Sequence, residues 1–329
     1  MEHPISITFR DLRAYSCYYY SMNKIHKQTD YAYCAGYIDG DGCFYIGYES
    51  PSKLNKRRAR KPITSIVISS VNKDVLESFK YIFGGSVHLS KAENNNNKAL
   101  YQYSSKKQDS INLIDKILPY LVEKQEESLV TKKFATTDNN QTRQECINKM
   151  KLLKTVSNLA TQDHVQEFKR HKLTIIPTEY DFAYLAGFID AECCFQISRY
   201  KHKDGPNLSY KILLQCNNTK YPVFKWLIER FGGSISFINR IKTQKAKKNQ
   251  LCWRISCKAL SKIINHIYPF LKHKKPVCEE LMKFYTTTLP NGGARHTEKF
   301  RTHYANVLKV REEIVVNVHK LNLKGTKNS

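Results

Sequence analysis

Tyr33-Cys34-Ala35-Gly36-Tyr37-Ile38-Asp39-Gly40-Asp41-Gly42 returns later in the chain as Tyr184-Leu185-Ala186-Gly187-Phe188-Ile189-Asp190-Ala191-Glu192-Cys193. The chain is therefore an internal duplication. Each copy reads as an apolar helix, rich in small residues, that ends in two acids, where the negative end of the helix dipole disfavours negative charge. Carboxylates gathered at such an end need compensation. A divalent metal supplies it, taking hard oxygen ligands and activating water for hydrolysis. The bland alternative is a helix pair whose acids merely hydrogen-bond loop backbone, and it suits one copy alone. Two copies that keep both acids in register favour the metal.

Small residues say how the copies meet. Ala32, Gly36 and Gly40 recur every four positions, as do Ala183, Gly187 and Ala191, so each helix carries a narrow stripe on one face. Without side chains between them the backbones can come closer than the roughly 8–10 Å of an ordinary helix pair. Asp41 and Glu192 then sit side by side. Thr178 and Asp181 form a capping-box pattern ahead of the second copy, and Thr29 or Asp30 is placed to cap the first.

These residues resemble the LAGLIDADG homing endonucleases in their single-chain, two-repeat form. The resemblance implies that Asp41 and Glu192 are the metal-binding catalytic acids, that the carbonyls of Gly40 and Ala191 support the metal, and that Asp39 and Asp190 serve helix packing and capping. It also implies basic residues facing the scissile phosphate at Lys258 and, in the first half, Lys107. Gln215 resembles the polar residue that positions the attacking water, with Ser69 or Ser70 as its first-half partner. The chain departs from the family pattern at Cys34, Glu192 and Cys193. The last follows the acid, a place expected to turn with positive φ, where Gly is the easy residue.

Beyond the decamer the repeat continues in an αββαββα order. Strands are expected over 43–48, 63–70, 86–89 and 100–104, and again over 194–200, 210–217, 235–239 and 251–256. Helices carry Val75-Leu76-Phe79-Ile82 and Val223-Phe224-Leu227-Ile228 at helical spacing, and each stops at Phe-Gly-Gly-Ser. The fold class is α+β: two pseudo-symmetric half-domains whose antiparallel four-stranded sheets form a saddle. An N-terminal extension covers 1–28, the first half 29–137, a partly helical linker 138–178, the second half 179–288, and a basic helical extension 289–329.

Four-stranded sheets with their helices on one side leave the other face open. That face is expected to hold double-stranded DNA. Tyr45, Gln196, Ser198, Tyr210 and Arg254 are expected to reach base edges from it. Basic turns lie at the strand tips, where Arg57, Arg58, Arg60, Arg199, Lys201, Lys203, Arg240, Lys242, Lys247 and Lys248 are candidates for phosphate contact. Composition agrees: Lys plus Arg number 54 against 29 Asp plus Glu, a net charge of +25 over 329 residues, which attracts phosphate. No apolar run approaches the roughly 18 residues of a membrane helix. The ten cysteines show no CxxC spacing, so a zinc site is not expected and a reducing compartment is, whether bacterial cytoplasm or organelle.

The reading at this level is a monomeric, Mg²⁺-dependent, site-specific DNA endonuclease that leaves short 3′ overhangs. An intron RNA maturase, with host intron RNA as partner, and a catalytically inactive DNA-binding protein are the alternatives on the same scaffold.

Overall fold

The computed structural model describes residues 27–49, 60–94, 97–155, 159–170, 174–201, 208–242, 248–287 and 297–323. Helix α1 (Gln28–Asp41) leads into β1 (Gly42–Tyr48), β2 (Pro62–Ser70), α2 (Lys73–Phe83), β3 (Ser86–Lys91), β4 (Leu100–Ser104) and α3 (Lys107–Ile117), closed by a 3-10 turn at Leu118–Tyr120. Helices α4 (Gln125–Thr136), α5 (Asn140–Thr155) and α6 (Asp163–Arg170) follow. The order then repeats as α7 (Glu179–Glu192), β5 (Cys193–Lys201), β6 (Leu208–Asn218), α8 (Pro222–Phe231), β7 (Ser234–Ile238), β8 (Gln250–Ser256) and α9 (Cys257–Ile267). Helices α10 (Lys275–Thr286) and α11 (Glu298–Asn322) end the chain's described part.

Each half holds one antiparallel sheet, ordered β1-β2-β4-β3 in the first and β5-β6-β8-β7 in the second. Strand alternation decides what each face carries. Phe44, Ile66, Ile68, Phe195, Ile212, Leu214 and Trp253 are buried beneath the helices, while their neighbours in sequence face the open side. The double glycines after α2 and α8 take positive φ, at 80° and 85° for Gly84 and Gly85 and at 67° and 95° for Gly232 and Gly233. Only glycine enters that region without strain, so both helices turn sharply into β3 and β7.

Helices α1 and α7 form the seam between the halves. A Cβ added to Gly36 would lie 2.0 Å from the carbonyl oxygen of Tyr184, and one on Gly187 would lie 1.9 Å from that of Tyr33. A Cβ on Gly40 would meet Cβ of Ala191 at 2.4 Å. The small-residue stripe is thus a backbone-on-backbone contact. At the helix starts, Thr178 Oγ1 accepts from the Asp181 amide at 3.3 Å while Asp181 accepts from the Thr178 amide at 2.8 Å, the capping box read from sequence. In the first copy Asp30 accepts from the amide of Lys27 at 3.2 Å, and Thr29 lies inside the helix.

The repetition extends past the third helix. In the first half Lys154, at the end of α5, donates to the carbonyl of Phe44 at 2.6 Å; in the second Asn322, at the end of α11, donates to the carbonyl of Phe195 at 2.8 Å. Both helices therefore cover an equivalent edge strand, whose unpaired backbone groups would otherwise invite pairing. Lys220 and Lys248 of the second half hold the carbonyls of Leu153 and Lys154 at 2.8 and 3.0 Å, and the Ala160 amide donates to Thr219 at 2.8 Å, so the connecting segment is fastened to both halves.

Candidate active site

Packing the two stripes brings Asp41 and Glu192, the last residues of α1 and α7, to the same end of the seam. Burial pushes the Asp41 carboxyl up to about 6 against the pull of Lys274 and Lys124. Glu192 is pushed up to about 7 by burial and then by the charge of Asp41, again opposed by the two lysines. Two carboxylates that disfavour each other's ionisation, beside two ammonium groups, form a coupled centre drawing on both halves.

Asp39 and Asp190 explain how the lysines arrive. Asp39 is fully buried and collects four hydrogen bonds: from the amides of Val122, Glu123 and Lys124 at 2.8, 3.1 and 2.9 Å, and from the Tyr184 hydroxyl at 2.7 Å. Asp190 repeats the pattern with Lys272, His273 and Lys274 at 2.7, 3.0 and 2.7 Å and the Tyr33 hydroxyl at 2.8 Å. Charge-assisted bonds of this kind are the strong ones. Each loop is thereby folded back so that its lysine reaches the C-terminal carbonyls of its own half's seam helix. Lys124 Nζ donates to Ile38, Asp39 and Gly40 at 2.7, 2.8 and 3.3 Å, and Lys274 Nζ to Ile189 and Asp190 at 2.6 and 2.8 Å. Cations at helix C-termini are favoured by the dipole.

Lys107 and Lys258, the basic residues expected to face phosphate, lie exposed on the first turns of α3 and α9; the ammonium groups acting on the charge of Asp41 and Glu192 are two others, Lys124 and Lys274. The sequence signal was the spacing of a lysine after Leu-Pro-Tyr-Leu and Tyr-Pro-Phe-Leu, which both copies share. Gln215 stands opposite Cys194 on the open face, where Oε1 accepts from Arg254 Nε at 3.1 Å and Arg254 also donates to Ser236 at 2.9 Å. Its partner by register is Val67, opposite Cys43, not Ser69 or Ser70. Ser70 Oγ instead accepts from Tyr37 at 2.9 Å and from the Asn72 amide at 3.1 Å. The two centres are unequal at that point. They differ again in the lysine loops, where Glu123, pushed up to about 8 by burial, accepts from Asn218 at 3.3 Å, while His273, at the matching position, is pushed down by burial and beside Lys274.

Cys193 takes φ −92° and Gly42 φ −77°, so neither needs the left-handed region and Cys193 fits without strain. Arg199 and Tyr210 also move. They pair across β5 and β6 on the parity of Phe195, Ile197 and Leu214, the helix-covered side, and both bind Glu312 of α11. Period-2 alternation takes them off the open face. Tyr45, Gln196, Ser198 and Arg254 alternate the other way and stay on it. Arg60 and Lys242 are exposed and Arg240 is half-buried; Lys248 is spent on Lys154, and Lys201 closes β5. Arg57, Arg58, Lys203 and Lys247 lie outside the described residues.

The donors fit a divalent cation. Two carboxylates and the adjoining carbonyls of Gly40 and Ala191 are hard oxygen ligands, and a carbonyl that accepts one hydrogen bond keeps a second lone pair. Among the described residues no cluster of three or more His, Cys, Asp or Glu could hold a metal, so further ligands would come from water or substrate. No described helix is long and apolar enough to cross a membrane.

The family model of the LAGLIDADG endonuclease matches residues 34–158 and 185–287. Among solved structures, the LAGLIDADG meganuclease I-AabMI bound to uncleaved DNA aligns at TM-score 0.56 and 19% identity, covering 91% of this chain and 99% of that one. I-SmaMI bound to uncleaved target with calcium ions aligns at 0.55 and 18%, covering 86% and 98%. I-SmaMI bound to cleaved DNA aligns at 0.55 and 17%, covering 87% and 96%. No curated protein matches the chain.

Proposed function

We propose, from the premise that this chain belongs to the LAGLIDADG endonuclease family, that it is a site-specific endonuclease cutting both strands of an asymmetric DNA target. The observation that carries this reading is the shared centre: Asp41 and Glu192 from opposite halves, desolvated together and flanked by Lys124 and Lys274, at the end of the seam between two open sheets. A protein that only bound DNA would have no use for two carboxylates held where burial and mutual repulsion both oppose their charge.

Asp41, Glu192 and the carbonyls of Gly40 and Ala191 would hold the divalent cation, Mg²⁺ in the cell. When bound, the cation supplies Lewis acidity toward phosphate oxygen and a bound water of lowered pKa. Lys124 and Lys274 offset the negative charge that develops on phosphate as the bond breaks, from fixed positions that cost no reorganisation. Gln215, held by Arg254, orients water on one side of the centre. Gln196, Ser198, Tyr45 and Arg254 offer donors and acceptors to base edges, while Arg60, Arg240 and Lys242 bind phosphates. Relatives of this fold have been crystallised on uncleaved and on cleaved DNA, which supports this placement.

The test is selection of a cut sequence from a randomised duplex library with Mg²⁺. Recovery of one asymmetric site, uncut by Asp41→Asn with Glu192→Gln, is the expected result. Cleavage by the double variant at the wild-type rate would overturn the assignment.

A further inference from the structure

We propose that Tyr184 and Tyr33 are positioning residues, each setting the active-site lysine of the opposite half through the buried aspartate it touches. The proposal rests on the endonuclease reading above and names the coupling between its two centres.

The path is continuous in hydrogen bonds. Tyr184, on α7, donates to Asp39 on α1 at 2.7 Å. The same carboxylate takes three consecutive loop amides, ending with that of Lys124 at 2.9 Å. Lys124 then spans the carbonyls of Ile38, Asp39 and Gly40, immediately before Asp41. Tyr33 runs the mirror path through Asp190 to Lys274. Three amides aimed at one carboxylate make the loop follow any turn of that carboxylate, and the hydroxyl from the other half is the bond that fixes its rotation. Neither tyrosine reaches the acids themselves.

Ring and hydroxyl have separable roles. The Tyr184 ring packs on Trp226 at 4.5 Å, and the Lys272 ammonium sits over the Tyr33 ring at 4.6 Å. Packing at the seam needs only the rings. Both hydroxyls instead point at carboxylates that are 0% and 2% exposed, where a lost donor is not replaced by bulk water. Tyr→Phe therefore keeps the seam filled and removes the relay alone.

The experiment is single-turnover cleavage, with Mg²⁺, of a duplex that the wild-type protein cuts, each strand carrying its own label. Tyr184→Phe should slow by about tenfold the same strand that Lys124→Met slows, leaving the other within about twofold, since a displaced charge loses its alignment with the developing phosphate. Tyr33→Phe should do the same to the strand that Lys274→Met slows. Adding Tyr184→Phe to Lys124→Met should slow that strand no further. Equal slowing of both strands, no slowing, or additive slowing in the double variant would each overturn the relay. Absence of any cut by the wild-type protein would strike the endonuclease reading instead. Hydrogen exchange on the unaltered protein gives a second measurement, independent of variant folding. The amides of residues 122–124 and 272–274 should open only with α1 and α7. Fast, independent exchange of those six would also overturn the proposal.

Discussion

Replacing Gly36 with Ala sets two effects of opposite sign against each other. Ala in a helix interior is favoured over Gly by about 1 kcal/mol, so an isolated α1 would gain. In the folded protein the new Cβ would stand 2.0 Å from the Tyr184 carbonyl oxygen, and an ordinary contact begins near 3.4 Å. The backbones must retreat by about 1.4 Å, and a gap of even 0.5–1 Å forfeits a quarter to a half of the dispersion energy of the atoms it parts. Overpacking costs about 1–3 kcal/mol where side chains can yield; here the obstacle is a carbonyl, which cannot, so the cost is about 3 kcal/mol or more. The clash wins by about 2 kcal/mol. At about 2 °C per kcal/mol for a chain of this size, Tm should fall by about 4 °C on a circular-dichroism melt. Cleavage should fall by about a hundredfold, because parting α1 from α7 parts Asp41 from Glu192 by a comparable distance. Gly187→Ala should match it, given the 1.9 Å approach to Tyr33, and the pair together should cost less than the sum, since one separation relieves both contacts. A Tm equal to or above wild type, with cleavage intact, would refute the seam argument.

Other outcomes follow from the same geometry. Asp41→Asn with Glu192→Gln should abolish cutting yet leave DNA affinity within about tenfold, measured by gel shift, since these groups serve the transition state more than binding. Lys124→Met and Lys274→Met should each cost about 10²-fold in single-turnover rate, whereas Lys107→Met and Lys258→Met should stay within about twofold; the reverse order would return the earlier assignment. The raised carboxyls of Asp41 and Glu192 stabilise the fold below their ordinary range and lose that contribution as pH climbs through about 6 and about 7. Tm in chelator should therefore drift down across that window, and the gain on adding Mg²⁺ should grow with pH; a metal effect that is larger at pH 5 than at pH 8 would contradict it. One chain should occupy one duplex by light scattering, on an asymmetric site of about 20 base pairs, or about one helical turn per sheet.

The architecture was legible because it is carried by short-range signals repeated twice. Alternation fixed eight strands to within two residues, the Gly-Gly stops ended α2 and α8 where expected, and the small-residue stripe announced the seam. What misled was anything set by register or by distant chain. Tyr210 was read as an open-face residue because parity near a strand's end depends on which residue begins the alternation, and only the pairing of β5 with Cys216 and Leu214 settles it. Gln215 looked matched to Ser69 or Ser70 until the β1–β2 register put Val67 there. Lys124 and Lys274 escaped because their place depends on Asp39 and Asp190, far back in sequence, folding a loop onto a helix end. Locally only their shared spacing after Leu-Pro-Tyr-Leu and Tyr-Pro-Phe-Leu marks them out from the many other lysines of a chain with a +25 charge.

Each half carries both parts of the fastening that joins it to the other. Tyr33 and Asp39 lie on one helix, and Tyr184 and Asp190 on its counterpart, so a half severed from its neighbour still owns a hydroxyl, a carboxylate and a glycine groove arranged to receive a second copy of itself. Cut within 138–178, the first half would find in its own twin a ring pointing at Asp39 and a carbonyl seated against Gly36. The chain is thus two self-complementary modules that happen to be tied, and either could be traded for a differently reading half that keeps Tyr, Gly and Asp at those three places.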